Sequence, residues 1–487
     1  MKTLTIEDGC PDQDFGQMRM MNQLFGKQTV FRRRFAEDSF LCGVICGSSL
    51  RRALKSLPVL HSVTIRTWKR VVHGLSWDTV KMISSLPHVR EVSIVGLLLC
   101  PSMLSGDDYR CDSFSSLTSF HYEVPSHRFT SIGTRQTYPF PSEEEALRLV
   151  LDRLHSSLEK LVLSSEPAPM LTMSEWQWPH LRELRLCGEW NPNPPVSYLS
   201  LLAAMPNLRV LILELVLVTG ELDHTHPLWP PGLDMSFPLP YLSRLSVSHP
   251  HAKDELYSRL PPSVQELSLC CYPHKSEKAW IGIQPIYTVQ AYEYPLLTST
   301  DLRGLLETCH LPCLTRLDIE YQADGLELDL LRSIAVLFPR LSWLQVHRYR
   351  LREVSENDDE LVWLEEIAQA LGQLSALRTI CAYLDFPDVP RIYFSFMGIV
   401  RTGGQEDVAN FTKTLSKAAH VLARAIPSPE TVYLWRPRTF GVIQWTPFEV
   451  VRTTDGSKAD LEIKCPTDED GPLYPVVPII PQYEVDP

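Results

Sequence analysis

The sequence has no long hydrophobic run. Its longest apolar stretch, Val210 to Val218, is interrupted by Glu214 and is far shorter than the roughly 20 apolar residues that a membrane-spanning helix needs. Residues 1–20 contain no continuous apolar segment of the signal-peptide kind, because charged and polar side chains interrupt every apolar pair. The sequence therefore predicts no contact with a membrane and a location in the cytoplasm or the nucleus.

Positive charge and cysteine are also scarce. The chain has 46 lysines and arginines against 58 acidic residues, and its net charge is −12. Because nucleic-acid binders neutralise phosphates with Lys and Arg, this balance argues against DNA or RNA as a partner. Only 12 of the 487 residues are cysteines, and they are scattered, whereas disulfide frameworks are typical of short secreted chains. We therefore expect reduced thiols.

The short motifs of common enzyme classes are missing as well. The sequence contains no G-x-x-x-x-G-K-[ST], G-x-G-x-x-G, G-x-S-x-G or H-E-x-x-H. The sequence therefore lacks the motifs by which nucleotide-binding proteins, hydrolases and zinc proteases are usually recognised. We predict that the chain is not an enzyme and that it has no catalytic residue and no cofactor.

Two groups of cysteine and histidine raise the question of metal binding. They are Cys270, Cys271 and His274, with His249 and His251 as further candidates, and Cys309, His310 and Cys313. A structural zinc site usually has four ligands, supplied by closely spaced pairs, and neither group reaches that number in a regular pattern. We interpret these residues as thiols of the core or the surface and predict no metal.

The sequence contains instead one phrase that recurs twelve times. An apolar residue is followed by two variable positions, a second apolar residue, one variable position and a third apolar residue, and in nine copies a proline stands one to three residues before the phrase. The copies begin at Leu60, Val89, Leu117, Leu158, Leu181, Leu208, Leu242, Val264, Leu314, Leu341, Leu377 and Pro429. One such phrase occurs in any leucine-rich helix, but twelve in order predict a repeat protein.

The intervals between the copies indicate the kind of repeat. They run from 22 to 52 residues, and the tightest match the roughly 20–29-residue period of leucine-rich repeats, in which the phrase forms a strand. Apolar residues between copies have helical spacing, most clearly at 326–338, 358–371 and 408–426, and Ser142 and Ser197 are predicted N-caps. The predicted fold class is α/β, a leucine-rich-repeat solenoid whose curved parallel sheet is lined by outer helices, with irregular repeats and insertions.

The repeats also set the domain organisation. We predict a solenoid over residues 1–452, with a long Tyr- and Pro-rich insertion near 270–310. Residues 453–487 contain eight acidic residues, two lysines and six prolines, which predicts an acidic, mostly disordered tail. Met1 to Ile6 already fits the strand pattern, so the chain starts inside a repeat without the polar cap of an ordinary solenoid. We expect that residues upstream of Met1 are missing or that an N-terminal module was lost.

Pro-led phrases and a distinctive closing segment carry a resemblance to a known family. The phrases include Met205-Pro206-Asn207-Leu208 and Phe338-Pro339-Arg340-Leu341, and the closing segment is Trp445 to Arg452. On these features, residues 50–452 resemble the fungal F-box-like proteins with degenerate leucine-rich repeats. The resemblance implies that an N-terminal F-box docks on a Skp-type adaptor of a cullin ubiquitin ligase, while the repeats capture the substrate. Residues 1–55 contain no Leu-Pro-x-Glu-like F-box opening, so we expect adaptor binding only if an F-box lies upstream.

The variable positions of the phrase predict a binding surface. Because side chains alternate along a strand, the apolar residues point into the solenoid and the variable ones line its concave face. In the C-terminal third this face is rich in aromatic residues and Arg, which dominate interface hot spots. The predicted protein-binding residues are Arg316, Asp318, Glu320, Trp343, His347, Tyr383, Tyr433 and Trp435. The alternative is that the tail folds back, so that Trp445 and Phe448 cover these aromatics.

The sequence thus favours recognition over catalysis. The first hypothesis is a non-enzymatic protein–protein recognition module, a substrate receptor of an SCF-type ubiquitin ligase that binds an unknown protein target on its concave face. The second is an orphan repeat paralogue without an F-box, which acts as a structural or interaction scaffold. An enzyme of unknown class is a third hypothesis, and it would require a measured turnover that is lost on mutation of a specific site.

Overall fold

The structure is a computed structural model of the 487-residue chain. It describes residues 2–7, 50–66 without 51, 53, 55 and 58, 73–99 without 76, 117–124, 140–218 without 192–193, 227–275 without 273, 292–350 without 294, 360–386, 389, 393–394, 400–401, 405–437, 443–453 and 460–464. The chain divides into two compact units. The first unit is Met1–His224 with Ser236–Tyr241, and the second unit is Thr225–Met235 with Leu242–Pro487.

Helices and strands alternate along the described residues. The helices are α1 (Trp77–Ser84), α2 (Phe140–Leu154), α3 (Met170–Glu175), α4 (Tyr198–Ala203), α5 (Ser299–Thr308), α6 (Glu327–Leu337), α7 (Glu360–Leu371) and α8 (Gln405–Ala425). The strands are β1 (Thr3–Glu7), β2 (Ser62–Arg66), β3 (His73–Leu75), β4 (Glu91–Val95), β5 (Leu97–Leu99), β6 (Ser119–Glu123), β7 (Lys160–Ser164), β8 (Glu183–Glu189), β9 (Val210–Val218), β10 (Arg244–Ser248), β11 (Glu266–Cys270), β12 (Tyr292–Glu293), β13 (Leu297–Thr298), β14 (Arg316–Gln322), β15 (Trp343–Tyr349), β16 (Thr379–Tyr383), β17 (Tyr393–Phe394), β18 (Val400–Arg401), β19 (Thr431–Pro437), β20 (Ile443–Thr453) and β21 (Asp460–Lys464).

In the first unit, one sheet is parallel throughout. Its strands follow the order β1-β2-β4-β6-β7-β8-β9. Leu4 of β1 pairs with Val63 of β2, which confirms that the first residues of the chain continue the strand pattern. Copies of the phrase pair without a register shift, as when Leu161, Leu184 and Leu211 lie side by side on β7, β8 and β9. This register brings all apolar positions to one face.

The second unit has the same plan with a different edge. Strands β10-β11-β14-β15-β16-β19 are parallel and in register. Strand β20 then pairs antiparallel with β19, and β21 pairs antiparallel with β20. Strand β11 pairs directly with β14 although 45 residues separate Cys270 from Arg316, and of the described residues between them, Leu297–Thr298 (β13) pair with the other end of β14. The predicted α/β class with a mostly parallel sheet is confirmed.

A proline turn leads into many of the strands. In Met205-Pro206-Asn207-Leu208 the Leu208 N–H donates to the Met205 carbonyl at 3.1 Å, and in Phe338-Pro339-Arg340-Leu341 the Leu341 N–H donates to the Phe338 carbonyl at 3.0 Å. Proline is favoured at the second position of such a turn, because its fixed φ suits that position. The prolines before these phrases therefore have a structural role, which is a turn that places the first apolar residue of the phrase.

A shared carbonyl then joins each strand to the next. The Thr315 carbonyl accepts from the N–H groups of Ser342 and Trp343 at 2.9 and 3.0 Å. The Ser342 carbonyl in turn accepts from Arg378 and Thr379 at 2.9 and 3.0 Å. The same arrangement recurs in both units, and it satisfies the backbone groups at the entrance of each strand.

The hydrophobic core lies between the sheet and the helices. The second apolar positions Leu184, Leu211, Leu267 and Leu317 are at most 1% exposed, as predicted. Burying each such side chain contributes roughly 1.5–3 kcal/mol. On the outer side α3 contacts α4 in the first unit, and α5, α6, α7 and α8 contact one another in series in the second.

The predicted helices are confirmed with small differences at their ends. Ser197 caps α4, because its Oγ accepts from the Ser200 N–H at 3.1 Å. The prediction of an N-cap at Ser142 is wrong, since α2 begins at Phe140. Pro141 explains the earlier start, because N–H groups in the first turn of a helix have no intrahelical acceptor, so proline loses no hydrogen bond there.

The insertion and the tail are only partly described. Of residues 270–310, the structure adds β12, β13 and α5, while 276–291 lie outside the described residues. Within the tail, which is predicted to be mostly disordered, Asp460–Lys464 form β21 against β20. Alternating Leu461 and Ile463 explain this, because a half-buried strand needs only such a short apolar alternation. Residues 454–459 and 465–487 lie outside the described residues.

Candidate recognition surface

The variable positions of the second unit form three rows across the sheet. The register places Arg244, Glu266, Arg316, Trp343, Thr379 and Thr431 side by side at the amino ends of the strands, and we call this the amino-end row. The middle row is Ser246, Ser268, Asp318, Gln345, Cys381 and Tyr433. The carboxyl-end row, one alternation further on each strand, is Ser248, Cys270, Glu320, His347, Tyr383 and Trp435.

Exposure falls steeply from the amino-end row to the carboxyl-end row. Every residue of the amino-end row is half-exposed, whereas all of the carboxyl-end row except Tyr383 is buried. The first unit shows the same trend on β2, β4, β6, β7, β8 and β9. The first variable position is half-exposed or exposed on each of these strands, whereas the third variable position is buried on all of them except β2. Among the described residues, the predicted concave face is therefore most available to a partner at the amino ends of its strands.

The predicted binding residues divide along this gradient. Arg316, Trp343, Tyr383 and Tyr433 are half-exposed. The expectation of exposure is wrong for Asp318, Glu320, His347 and Trp435, which are 6%, 2%, 2% and 5% exposed. Each of these four packs against polar or aromatic neighbours that the spacing of the phrase could not indicate.

Asp318, in the middle row, is bound by Arg316 of the amino-end row. Arg316 donates to Asp318 Oδ2 through Nε and Nη2, at 3.3 and 3.2 Å. Burial raises the pKa of Asp318 above its usual value, and the guanidinium of Arg316 opposes that shift. Arg316 also lies over the Trp343 ring, with its Cζ 4.7 Å from the ring centroid, and Trp343 lies 6.3 Å from the Tyr433 ring. Arg316, Trp343 and Tyr433 thus form one half-exposed cluster, which we call the Arg-Trp-Tyr cluster.

Glu320 is buried because it binds the segment that follows β11. Its Oε2 accepts from the Cys271 N–H at 2.9 Å and contacts His274 Nδ1 at 2.8 Å, while Oε1 accepts from the Lys275 N–H at 2.9 Å. The Tyr349 hydroxyl donates to Oε1 at 2.8 Å. Both carboxylate oxygens are therefore engaged, and Glu320 anchors the start of the insertion to β14.

His347 is covered from two directions. The His274 ring stacks on it with a centroid separation of 3.9 Å, and Trp445 of β20 meets it edge-on at 5.5 Å. Burial, with a smaller contribution from His274, lowers the pKa of His347 well below its usual value, so the ring is neutral near pH 7. Part of the predicted fold-back is therefore present, since Trp445 covers this aromatic ring. Phe448 instead pairs with Val432 and is fully buried with the apolar positions.

Sequence reasoning missed two members of the amino-end row. Arg244 and Glu266 are half-exposed and form an ion pair at 3.3 Å. They occupy the same position in their copies of the phrase as Arg316 and Trp343 do in theirs. Applying the rule for variable positions to the copies at Leu242 and Val264 would have found them.

A hydrogen-bonded Ser–His–Glu chain lies on the sheet of the first unit. Ser93 Oγ is 3.1 Å from His121 Nδ1, and His121 Nε2 is 3.0 Å from Glu123 Oε2. Acyl transfer also needs N–H donors that face the reacting oxygen. Strands β4 and β6 have a paired neighbour on each side, so their backbone N–H groups are used in the ladder.

The two cysteine groups differ in their geometry. Within the described part of the chain, one set of three potential ligands converges, namely Cys270, His274 and Glu320. Burial raises the pKa of the Cys270 and Cys271 thiols well above the usual value. The predicted further candidates His249 and His251 do not belong to this set. In the second group Cys309 is buried, Cys313 half-exposed and His310 exposed.

The chain has no match that would identify its family. A scan against protein-family models finds no match, and a search of curated proteins finds no significant relative. Within the described residues, none of the helices has the length and apolar character that a bilayer crossing requires.

Proposed function

We propose that this chain is a non-enzymatic protein–protein recognition module built from leucine-rich repeats, which acts in the cytoplasm or the nucleus. The observation that carries the proposal is the amino-end row, where half-exposed polar and aromatic side chains from six parallel strands lie side by side. The recurrence of the phrase and the Pro-led turns support the assignment of the repeats. The partner is a protein whose identity these features do not specify.

The size of the amino-end row suits a peptide or a protein edge. Six strands at about 4.8 Å spacing give a row about 24 Å long. Arg244, Glu266 and Arg316 provide alternating charge along it, and the Arg-Trp-Tyr cluster provides aromatic area. Interfaces combine aromatic and Arg anchors with a polar rim, which is the composition found here.

Within this proposal, two roles remain open to experiment. The first is the substrate receptor of an SCF-type ubiquitin ligase, which the resemblance to F-box-like proteins supports. The second is a scaffold without ligase function. Co-purification of the chain with a Skp-type adaptor, when any upstream coding sequence is included, favours the receptor, and partner binding without adaptor favours the scaffold.

Affinity purification with mass spectrometry tests the recognition surface. The full chain and its Trp343→Ala and Tyr433→Ala variants are compared for recovery of the same partner, and thermal melting checks that each variant is folded. Truncating a hot spot costs about 2 kcal/mol or more, which is about a 30-fold loss of affinity. Val362→Ala is the control, because Val362 is 53% exposed on α7 of the same unit. Unchanged partner recovery by both folded aromatic variants would contradict the proposed surface.

A further inference from the structure

Three potential metal ligands from two separate stretches of sequence converge in the second unit. Cys270 ends β11, His274 follows it, and Glu320 lies on β14, and one ligand atom of each lies within 4.8 Å of the other two. All three side chains are buried. We propose that Cys270, His274 and Glu320 bind a divalent transition-metal ion of the Zn²⁺ class, which ties the start of the insertion to β14.

The donor atoms are close to the geometry that such an ion requires. Zinc bonds of about 2.0–2.3 Å in a tetrahedral arrangement place neighbouring ligand atoms about 3.4 Å apart. His274 Nδ1 and Glu320 Oε2 are 2.8 Å apart and share a hydrogen bond. An ion between them takes the place of the shared proton, and the Cys270 sulfur belongs to the same set of ligand atoms, which all lie within 4.8 Å of one another.

The surroundings of Glu320 are those of a supported ligand. The Cys271 and Lys275 N–H groups and the Tyr349 hydroxyl all donate to its carboxylate. Hydrogen bonds of this kind fix the orientation of ligating carboxylates in metal sites. They come from backbone and from a neighbouring strand, so the carboxylate stays in place while its partner changes from a proton to a metal ion.

The local excess of acceptor atoms is an independent observation that indicates a cation. Asp318 and Glu320 are two residues apart on one face of β14, and both are buried. Arg316 binds Asp318 through Oδ2, but Asp318 Oδ1 and Gln345 Oε1 are buried in the described structure without a hydrogen-bond partner. Burying anionic and polar groups is unfavourable unless they are paired. A positive ion held by Glu320 lowers that electrostatic cost for the whole group.

The ligand types select the class of metal. Thiolate and imidazole prefer zinc and its neighbours in the first transition series, whereas Mg²⁺ and Ca²⁺ prefer oxygen ligands alone. Three protein ligands leave a fourth tetrahedral position for water. The site is buried and joins two distant segments of chain, so the ion, with water as its fourth ligand, holds these segments together.

Cobalt titration of the full chain tests the site. The chain is first treated with a chelator, Co²⁺ is added, and the near-ultraviolet thiolate-to-cobalt charge-transfer band is recorded. We expect a saturable band in the wild type that is absent in Cys270→Ser, and an affinity at least tenfold weaker in Glu320→Gln. Cys309→Ser is the matched control, because Cys309 is a buried thiol of the same unit that lies outside the set, and it keeps the band.

A second measurement decides the question if Cys270→Ser fails to fold. Saturating Zn²⁺ is expected to raise the melting temperature of the chelator-treated wild type, and excess chelator reverses the shift. The proposal is overturned by a wild-type chain that shows neither the band nor the shift, which leaves a hydrogen-bonded His–Glu pair. A band that survives in folded Cys270→Ser also overturns it, because the ion then binds at other thiols.

Discussion

The buried ion pair of the first unit offers a sharp test of how its sheet is stabilised. Arg185 of β8 donates to Glu214 Oε2 of β9 through Nε at 2.7 Å and also through Nη2, and both residues are 7% exposed. Breaking such a pair leaves a charge buried without its counter-ion, which costs about 3–5 kcal/mol. Replacing both partners by apolar residues removes the desolvation penalty of both charges and is often neutral or stabilising by about 1–4 kcal/mol.

The expected result is therefore non-additive. Glu214→Leu alone is predicted to lower the free energy of unfolding by about 3–5 kcal/mol, and the double variant Arg185→Met/Glu214→Leu to recover most of that loss. Equilibrium urea denaturation followed by circular dichroism measures both. Because the two compact units can unfold in separate steps, the comparison uses the transition that Glu214→Leu shifts.

An exposed ion pair on the same unit provides the control. Glu159 and Arg182 are 3.8 Å apart, and their side chains are 50% and 58% exposed. Glu159→Gln should change the free energy of unfolding by less than about 1 kcal/mol, since solvent screens exposed pairs. A loss below about 1 kcal/mol for Glu214→Leu, or a double variant as unstable as the single, would refute the reasoning.

The remaining predictions concern the core, a glycine and the adaptor. Leu317→Ala should lower the free energy of unfolding by about 2–5 kcal/mol, because it removes buried apolar surface and leaves a cavity. Val336→Ala is the control and should change that free energy by less than about 0.5 kcal/mol, because Val336 is 75% exposed on α6. If urea denaturation showed equally small losses for both variants, the assignment of Leu317 to the core would be wrong. Gly188→Ala should cost about 1–3 kcal/mol, because φ is +116° and a new Cβ would collide with the Glu166 carboxylate. An unchanged melting temperature would contradict this prediction. Residues 1–487 should show no submicromolar binding to a Skp-type adaptor in calorimetry, because residues 1–55 contain no F-box opening, and such binding would overturn the expectation.

Local sequence determined where the strands and helices lie. Each phrase combines a Pro-led turn with alternating apolar residues, and both act within a few residues, so Leu211 and Leu317 could be assigned to the core without any tertiary information. Ser197 is a further example, because a helix cap depends only on the next three residues. The turn at Phe338-Pro339-Arg340-Leu341 is likewise local, and its Leu341–Phe338 hydrogen bond is present in the structure.

Only the tertiary structure decided which variable residues are exposed and which side chains meet. Alternation along β14 puts Asp318 and Glu320 on the opposite face from the core, but it does not say what lies against that face. Glu320 is buried because Cys271 and His274, 49 and 46 residues away in sequence, bind its carboxylate. These contacts exist because β11 pairs directly with β14, which brings the residues that follow Cys270 next to Glu320. Strand pairing across an insertion is a long-range choice, so the sequence predicted the rows of side chains but not the polar cluster that closes one end of them.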